Sequence, residues 1–346
     1  MLKKQIIRLA GSVLQSQVIG AKTRNFIESH QLTRAFPPKI DKRNELPFQI
    51  LVYHRVLPAP DPFAIDAITT IDFERQVSAL SASFRLITMD QLATELRAGM
   101  IGPNSVCITF DDGYRDNFEY AFPILKKYNA PATIFLASNF IGTKERIWHD
   151  DVLSALKYAT RDRLEFAEAG IADYAIRTDE ERSTVAFKLL LWLKQFSHQA
   201  RDDYVAQLFE RCRVKHAEST RLMLNWQEVR FMLKNGFAFG AHTKSHPILS
   251  RISDAEIESE IADSKSAIER AIDVPVSTFA YPNGKAGDFN ETCKLALLKA
   301  GFTCAVTTLA GANSVSKDPF ELHRTAPWDR DPKGFFSRMC FERFAG

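Results

Sequence analysis

The sequence predicts an α/β fold in which repeated strand–helix units form a parallel sheet with helices outside. Apolar, strand-like runs alternate with segments of helical periodicity, and about seven such runs occur. Polar residues follow several of these runs at their carboxyl ends. Because the carboxyl ends of parallel strands meet at one mouth in a barrel, this placement favours a barrel over an open sheet. The predicted strands are 48–56, 84–88, 106–110, 132–137, 237–241, 277–281 and 303–307.

Helical patterns separate these strands. In the first of them Phe73, Val77 and Leu80 recur at helical spacing and predict one buried face. The predicted helices are 72–81, 89–97, 118–128, 226–234, 254–271 and 291–300.

The pattern changes between residue 150 and about residue 216, where the chain is charged and helical and gives no evident strand signal. We therefore predict a helical insertion in an otherwise alternating domain. Residues 1–45 predict an N-terminal extension, and residues 46–346 predict one large domain that carries the insertion.

The composition is that of a soluble globular protein, with 45 % hydrophobic and 25 % charged residues. The formal net charge of +3 is spread along the chain, so no basic block indicates a nucleic-acid partner. The 5 cysteines are scattered and lack a CxxC spacing. They argue against a disulfide framework and against a cysteine zinc site.

The first 18 residues combine basic side chains with apolar residues at helical spacing. This pattern predicts either a helix packed on the domain, which we favour, or a basic amphipathic helix on an anionic membrane surface. Arg8 interrupts the apolar run and no small-residue cleavage site follows, unlike in a signal peptide. We expect a cytoplasmic protein, located at the inner membrane surface in the case that the N-terminal helix binds lipid, with a periplasmic protein held by an uncleaved N-terminus as the alternative.

Two motifs carry metal chemistry. Asp111 and Asp112 end an apolar strand in the run TFDDG, and His242 and His246 follow another strand. Taken alone, TFDDG also fits a helix-capping turn, and the histidine pair also fits two surface histidines. Together, two imidazoles and one carboxylate make a three-ligand set for a catalytic divalent metal with an open position for water. The remaining carboxylate is then free to act as a base, which indicates metal-assisted hydrolysis.

Two further strand ends face the same predicted mouth. The run FAYPNG places Tyr281 where a strand enters a turn, and the run YHRV places His54 at the end of the first strand. The first run equally fits a plain turn, because Pro, Asn and Gly favour turns. An isolated histidine at a strand end is more often structural than catalytic.

The order and spacing of these motifs resemble those of polysaccharide deacetylases, carbohydrate esterase family 4, which share the NodB homology domain of chitooligosaccharide deacetylases. The resemblance runs from about residue 47 to the C-terminus and includes the run PWDR at 327–330. It implies a distorted (β/α)7 barrel with, here, a helical insertion. It also implies a divalent metal, with Zn²⁺ expected first and Co²⁺, Ni²⁺ or Mn²⁺ as alternatives, and hydrolysis of acetyl groups on sugars.

The resemblance also implies roles for matching residues. Asp111 would be the general base on a metal-activated water, and Asp112 would bind the metal with the two histidines of HxxxH, His242 and His246. The backbone amide of Tyr114 would stabilise the oxyanion, and Tyr281 would line the sugar groove.

Two positions depart from the family pattern. Ala280 stands where many members carry an arginine that orients the base, which leaves the orienting group unassigned. His54 and, within the run ELHR, His323 are both candidates for the acid that protonates the leaving amine, with His54 preferred.

The leading hypothesis is a metal-dependent hydrolase that removes acetyl groups, foremost N-acetyl groups, from a polysaccharide or lipid-linked glycan of the bacterial cell envelope. An amidase acting on a small non-sugar substrate is the second hypothesis. A carbohydrate-binding barrel that keeps the metal as a structural group is the third. The expected partner is an acetylated glycan and no nucleic acid, and a peripheral membrane contact is the alternative for the N-terminal helix.

Overall fold

The computed structural model describes residues 47–64, 66–214, 221–327, 334–335 and 337–339. The predictions for residues 1–45 and for the run at 328–330 lie outside the described residues. The strands are β1 (Gln49–Tyr53), β2 (Arg55–Leu57), β3 (Ala67–Thr69), β4 (Arg85–Ile87), β5 (Ser105–Phe110), β6 (Thr133–Leu136), β7 (Arg163–Phe166), β8 (Ile171–Ala175), β9 (Ala238–Ala241), β10 (Thr278–Ala280) and β11 (Cys304–Val306). The helices are α1 (Thr70–Ser83), α2 (Met89–Ala98), α3 (Phe122–Lys127), α4 (Trp148–Lys157), α5 (Asp179–Leu193), α6 (His198–Cys212), α7 (Trp226–Lys234), α8 (Asp254–Ile272) and α9 (Glu291–Lys299).

Seven strands form the central sheet, and every pairing in it is parallel. The order is β1-β5-β6-β9-β10-β11, and β4 pairs with the start of β5. All residues of β1 and β5 are buried, as expected for strands covered on both faces. The seven predicted strands are thus confirmed as one parallel α/β sheet, with bounds that differ by a few residues.

The sheet closes into a barrel through a short segment rather than a full strand. Leu322 forms a parallel bridge with Val306 at the end of β11, and Thr325 forms one with Leu51 of β1. The segment 322–325 therefore fills the gap between the last strand and the first. This closure produces the barrel that the strand pattern predicted, in the distorted form that the family resemblance implied.

The predicted helix 118–128 is divided in the structure. Residues Asn117–Ala121 form a π-helical turn, and the α-helix α3 begins only at Phe122. Pro123 has no N–H to donate within the first turn of α3, so a regular α-helical bond is missing there. This wide turn follows directly on the loop that carries Asp111 and Asp112.

The insertion consists of α4, α5 and α6 and also contains the antiparallel hairpin β7–β8. The prediction of a span without strands is therefore wrong. In β7 the buried Leu164 and Phe166 alternate with the exposed Arg163 and Glu165, which is the period of a half-buried strand. Such a short alternation is easily missed between long helical segments.

No helix among the described residues combines the length and the apolar character needed to cross a membrane.

Candidate metal centre and active site

A tight loop after β5 presents the two adjacent carboxylates. Asp112 has a φ of 73° and Gly113 has a φ of 87°, so two consecutive residues are left-handed. A Cβ atom at Gly113 would lie 2.8 Å from Cδ2 of Leu136, which leaves space for glycine only. Left-handed backbone at a non-glycine residue such as Asp112 is costly and is typical of functional sites.

The structure brings Asp112 together with both predicted histidines. Oδ1 of Asp112 lies 3.3 Å from Nε2 of His242 and 3.2 Å from Nε2 of His246. One potential ligand atom from each of the three residues lies within 4.8 Å of the others, and all three residues are buried.

The loop that carries the two histidines is held by its own backbone and by a helix behind it. Thr243 and His246 both have positive φ, 66° and 58°, and the His246 amide donates to the Thr243 hydroxyl at 3.0 Å. Glu260 of α8 accepts bonds from the amides of Lys244 and Ser245, each at 2.8 Å. Glu260 therefore fixes the turn that sequence analysis identified only by its histidines.

A carbonyl group orients the first histidine. Nδ1 of His242 donates to the carbonyl oxygen of Ala280 at 2.7 Å, which leaves the lone pair of Nε2 directed at Asp112. Burial alone would raise the pKa of Asp112, but the neighbouring imidazoles outweigh this and hold the pKa well below its ordinary value. Asp112 is therefore ionised.

These residues fit a divalent metal. Within the described part of the chain, Oδ1 of Asp112 is buried and receives no hydrogen bond, although two imidazole nitrogens lie near it. A carboxylate oxygen and an imidazole nitrogen 3.3 Å apart attract each other only when a proton or a metal ion lies between them. Two histidines and one carboxylate are the donor set of many catalytic zinc sites.

The other carboxylate, Asp111, has a different environment. Arg324 donates to both of its oxygens, from Nη1 and from Nη2, at 2.7 Å each. Burial alone would raise the pKa of Asp111, but the positive charge of Arg324 outweighs it and holds the pKa below its ordinary value. Nε of Arg324 also donates to the carbonyl of Thr307 at 2.7 Å, so the guanidinium is itself fixed.

Ala280 stands where many family members carry the arginine that orients the base. In this chain Arg324 pairs with Asp111 and takes that role. Sequence analysis missed it, although it directly follows the candidate acid His323. The ring of His323 contacts Lys317, with Nζ of the lysine 2.8 Å from Nε2, and makes no contact with either carboxylate among the described residues. The structure therefore does not bring His323 into the site, because the chain turns Arg324 inward there.

His54 does reach the site. Its Nε2 lies 3.9 Å from Oδ2 of Asp111, and its side chain is partly exposed. Its carbonyl accepts a bond from Nδ2 of Asn117 at 2.9 Å, which fixes the backbone at the end of β1. Of the two candidate acids, His54 is the one with access both to Asp111 and to solvent.

Tyr114 lies beside the carboxylates. Its hydroxyl contacts both oxygens of Asp150, at 3.0 and 3.2 Å, and Nε2 of His149 at 2.9 Å. Its backbone amide makes no hydrogen bond within the described residues. His149 and Asp150 begin α4 in the run WHDD, a local signal that sequence analysis did not use. Burial lowers the pKa of His149 to about 3, so this imidazole is neutral.

Tyr281 is not a groove residue. Its side chain is buried, its ring stacks on Phe289 with centroids 4.2 Å apart, and its hydroxyl donates to the carbonyl of Phe320 at 3.1 Å. The prediction that Tyr281 lines the sugar groove is wrong, because the turn directs its ring into the core.

Comparison with known proteins agrees with this geometry. The family model for polysaccharide deacetylases matches residues 99–305, more than half of the chain. The chain therefore belongs to the polysaccharide deacetylase family, which confirms the resemblance found in the motifs.

The similarity to individual relatives is low in sequence identity and covers only part of each chain. The chain is 25 % identical to YxkH of Bacillus subtilis over 219 residues, which cover 63 % of this chain and 50 % of that protein. It is 32 % identical over 115 residues to the poly-β-1,6-N-acetyl-D-glucosamine N-deacetylase of Staphylococcus epidermidis, covering 33 % of this chain and 38 % of the relative. The matches thus span half or less of these relatives.

The solved structure of the Streptococcus pyogenes deacetylase PplD, in complex with acetate, has the same fold. The TM-score is 0.58 at 19 % sequence identity, and the match covers 86 % of this chain and 99 % of that one. At this identity the likeness shows the fold.

Proposed function

We propose that this protein is a metal-dependent deacetylase that hydrolyses N-acetyl groups on a glycan. The observation that carries the proposal is the different surroundings of two adjacent carboxylates. Asp112 faces two imidazole nitrogens at 3.2 and 3.3 Å, whereas Asp111 is paired with a buried guanidinium. One carboxylate is placed to bind a cation, and its neighbour is kept ionised beside it and free to take a proton.

Asp112, His242 and His246 would hold the metal. A divalent metal bound there supplies Lewis acidity that polarises the acetyl carbonyl and makes water more acidic. We expect Zn²⁺ first, because a set of two histidines and one carboxylate suits it, with Co²⁺, Ni²⁺ and Mn²⁺ as alternatives.

Asp111 acts as the general base. It accepts the proton of the attacking water as the new C–O bond forms. Its pairing with Arg324 keeps both oxygens in one orientation and the group ionised. Arg324 is thus the positioning residue for the base.

Collapse of the tetrahedral adduct breaks the C–N bond and yields acetate and an amine. The leaving nitrogen needs a proton, and His54 is the side chain placed to give it. The amide of Tyr114, which makes no hydrogen bond to any described residue, supplies a donor for the oxyanion that forms before collapse.

We further propose that the substrate is an N-acetylglucosamine polymer or a lipid-linked form of it. Support comes from the Staphylococcus epidermidis relative, whose name specifies poly-β-1,6-N-acetyl-D-glucosamine. Partially acetylated β-1,6-linked oligomers are therefore the first substrates to test, followed by chitooligosaccharides and O-acetylated sugars.

The deciding experiment measures acetate release by purified protein that is metal-stripped, then reloaded with zinc, beside the variant Asp111→Asn. We expect zinc-dependent release in the native protein and none in the variant, which still binds zinc. Zinc binding without release from any glycan would favour the small-amide or binding-only alternatives. Failure to bind zinc would overturn the assignment of Asp112, His242 and His246.

We also propose that the protein works at the cytoplasmic surface of the inner membrane. The proposal rests on the basic, helically spaced pattern of residues 1–18. Fractionation of cells that express the full chain should place it in the membrane fraction, released by high salt and shielded from protease added to spheroplasts. Cleavage in spheroplasts would favour the periplasmic alternative.

A further inference from the structure

The insertion delivers one imidazole to the metal centre. His149 lies in the first turn of α4, and its Nε2 is 3.9 Å from Oδ2 of Asp112. Its ring centroid is 5.4 Å from that of His246. His149 therefore adjoins two of the three residues that would hold the metal, although it belongs to a different part of the fold.

The ring of His149 is held in a fixed orientation. The Tyr114 hydroxyl donates to Asp150, so its oxygen is free to accept a bond from Nε2–H of His149, 2.9 Å away. Trp148 packs edge-to-face against the imidazole at 5.7 Å, and the Arg201 guanidinium covers Trp148 at 4.6 Å. A partly buried side chain held on several sides is preorganised for a contact.

One nitrogen of this ring has no hydrogen-bond partner among the residues that the structure describes. Nδ1 of His149 makes no hydrogen bond within the described part of the chain and is not among its fully buried unpaired atoms. In a neutral imidazole with the proton on Nε2, Nδ1 is an acceptor. Nδ1 is therefore able to accept a hydrogen bond from a bound molecule or from water.

His149 lies beside Asp112 at the same distance as His54 lies beside Asp111. The side chains of Asp112, His242 and His246 are 2–10 % exposed, whereas that of His149 is 16 % and that of His54 is 26 % exposed. Each of these two histidines lies 3.9 Å from one carboxylate. Both histidines are thus next to the metal centre and more exposed than the three residues that would hold the metal.

We propose that His149 is a substrate-contacting residue supplied by the insertion, whose Nδ1 accepts a hydrogen bond from a hydroxyl or the acetamido N–H of the bound sugar. The inference rests on the proposed function for the nature of the substrate. It makes the insertion part of the active site, because the barrel alone does not provide this acceptor.

The kinetic test compares His149→Ala with His198→Ala, a 44 % exposed histidine of the same insertion. We expect His149→Ala to lower kcat/KM for acetate release about 3- to 10-fold, as loss of one hydrogen bond implies. The zinc dissociation constant should stay within about threefold of the native value, and His198→Ala should match the native enzyme.

A second readout observes the contact directly. ¹⁵N NMR of the His149 ring is recorded in the zinc-loaded Asp111→Asn variant, which retains the substrate. An N-acetylglucosamine oligomer should shift the Nδ1 signal, whereas acetate, which has no N–H or hydroxyl to donate, should shift it far less.

Three results would overturn the inference. They are an unchanged kcat/KM in His149→Ala, a loss of zinc affinity of tenfold or more, which would make His149 a metal ligand, and an Nδ1 signal that saturating oligomer leaves in place. Absence of acetate release by the native protein would instead overturn the proposed function, and the inference with it.

Discussion

The barrel and the insertion both reach the metal centre, but the contacts that they contribute differ. Side chains of the barrel at the centre are fixed by buried polar contacts, such as the Asp111–Arg324 pair and the bond from His242 to the Ala280 carbonyl. Inside the insertion, aromatic rings pack with centroids 4.6–6.1 Å apart, and Arg182 donates to three backbone carbonyls. The rings are those of Phe166, Trp192, Phe196 and Tyr204.

This difference assigns metal binding and the reaction to the barrel, and contact with the substrate to the insertion. Buried hydrogen bonds and ion pairs at the metal centre fix the direction of the metal ligands and of the base, whereas contacts inside the insertion fix the positions of its own elements. Substitutions in the barrel should therefore abolish metal binding or the reaction. Substitutions inside the insertion should lower stability and leave zinc binding intact.

The largest effect should follow from removing a metal ligand. In Asp112→Ala or His242→Ala, zinc affinity should fall by more than the roughly 10- to 100-fold that changes around the ligands usually cost. Acetate release should disappear. Zinc titration of the metal-stripped protein checks this, with Asp111→Asn as the control that loses activity and retains zinc. Native zinc affinity in either ligand variant would contradict the barrel site.

Breaking the buried ion pair should have the next largest effect. Arg324→Met leaves Asp111 charged and unpaired in the core, which should cost about 3–5 kcal/mol of unfolding free energy in the metal-stripped protein. Adding Asp111→Asn should recover part of that loss without restoring activity. Urea unfolding measures both. If Arg324→Met alone were as stable as the native protein, the ion pair would not be needed for stability.

A buried leucine of the insertion tests whether packing inside the insertion affects stability and not zinc binding. Leu189 of α5 is fully buried, so Leu189→Ala should cost about 2–5 kcal/mol. Leu191 on the same helix is 64 % exposed, and Leu191→Ala should change stability by no more than about 0.5 kcal/mol. Zinc affinity should be native in both. A loss of zinc affinity in Leu189→Ala would mean that the metal site depends on insertion packing.

His323 should affect acid stability rather than catalysis. Burial and the charge of Lys317 lower the pKa of His323 to about 4. Between pH 4 and 6.5 the folded protein then binds fewer protons than the unfolded chain, so stability falls as the pH falls through this window. The slope from this one group is at most about 1.4 kcal/mol per pH unit.

Urea unfolding at several pH values tests this expectation. His323→Gln should flatten the pH dependence, and Lys317→Met should flatten it in part. Both variants should release acetate as the native protein does. Loss of acetate release in His323→Gln at unchanged stability would restore His323 as a candidate acid.

The smallest effect concerns Tyr281. Its hydroxyl makes one buried hydrogen bond, so Tyr281→Phe should cost about 1 kcal/mol. Because the ring is buried, KM for the glycan should not change. A raised KM at native stability would return Tyr281 to the substrate groove.

Sequence analysis predicted those parts of the molecule that depend on local pattern. The strands around TFDDG and HxxxH are short apolar runs with polar ends, so their parallel arrangement already implied that Asp112, His242 and His246 would meet. The hairpin β7–β8 was not predicted, because the alternation of charged and apolar residues in β7 covers only four positions.

The missed residues depend on contacts between distant parts of the chain. Arg324 pairs with a residue 213 positions earlier, and no local feature separates it from any other arginine. Glu260 reaches the histidine loop from the middle of a helix, where it looks like a solvent-facing charge. Tyr281 was misassigned for the same reason, because a turn sequence does not state on which side its ring lies.

The closing segment 322–325 couples the orientation of the base to the closure of the barrel. Asp111 and Asp112 are adjacent, and two neighbouring carboxylates repel each other when no cation lies near them. Arg324 pairs with Asp111 from a position 213 residues further along the chain. The same segment lies between β11 and β1, so the stretch of chain that completes the barrel also supplies this arginine. A chain that lacks the segment would keep the metal ligands and lose the residue that orients the base.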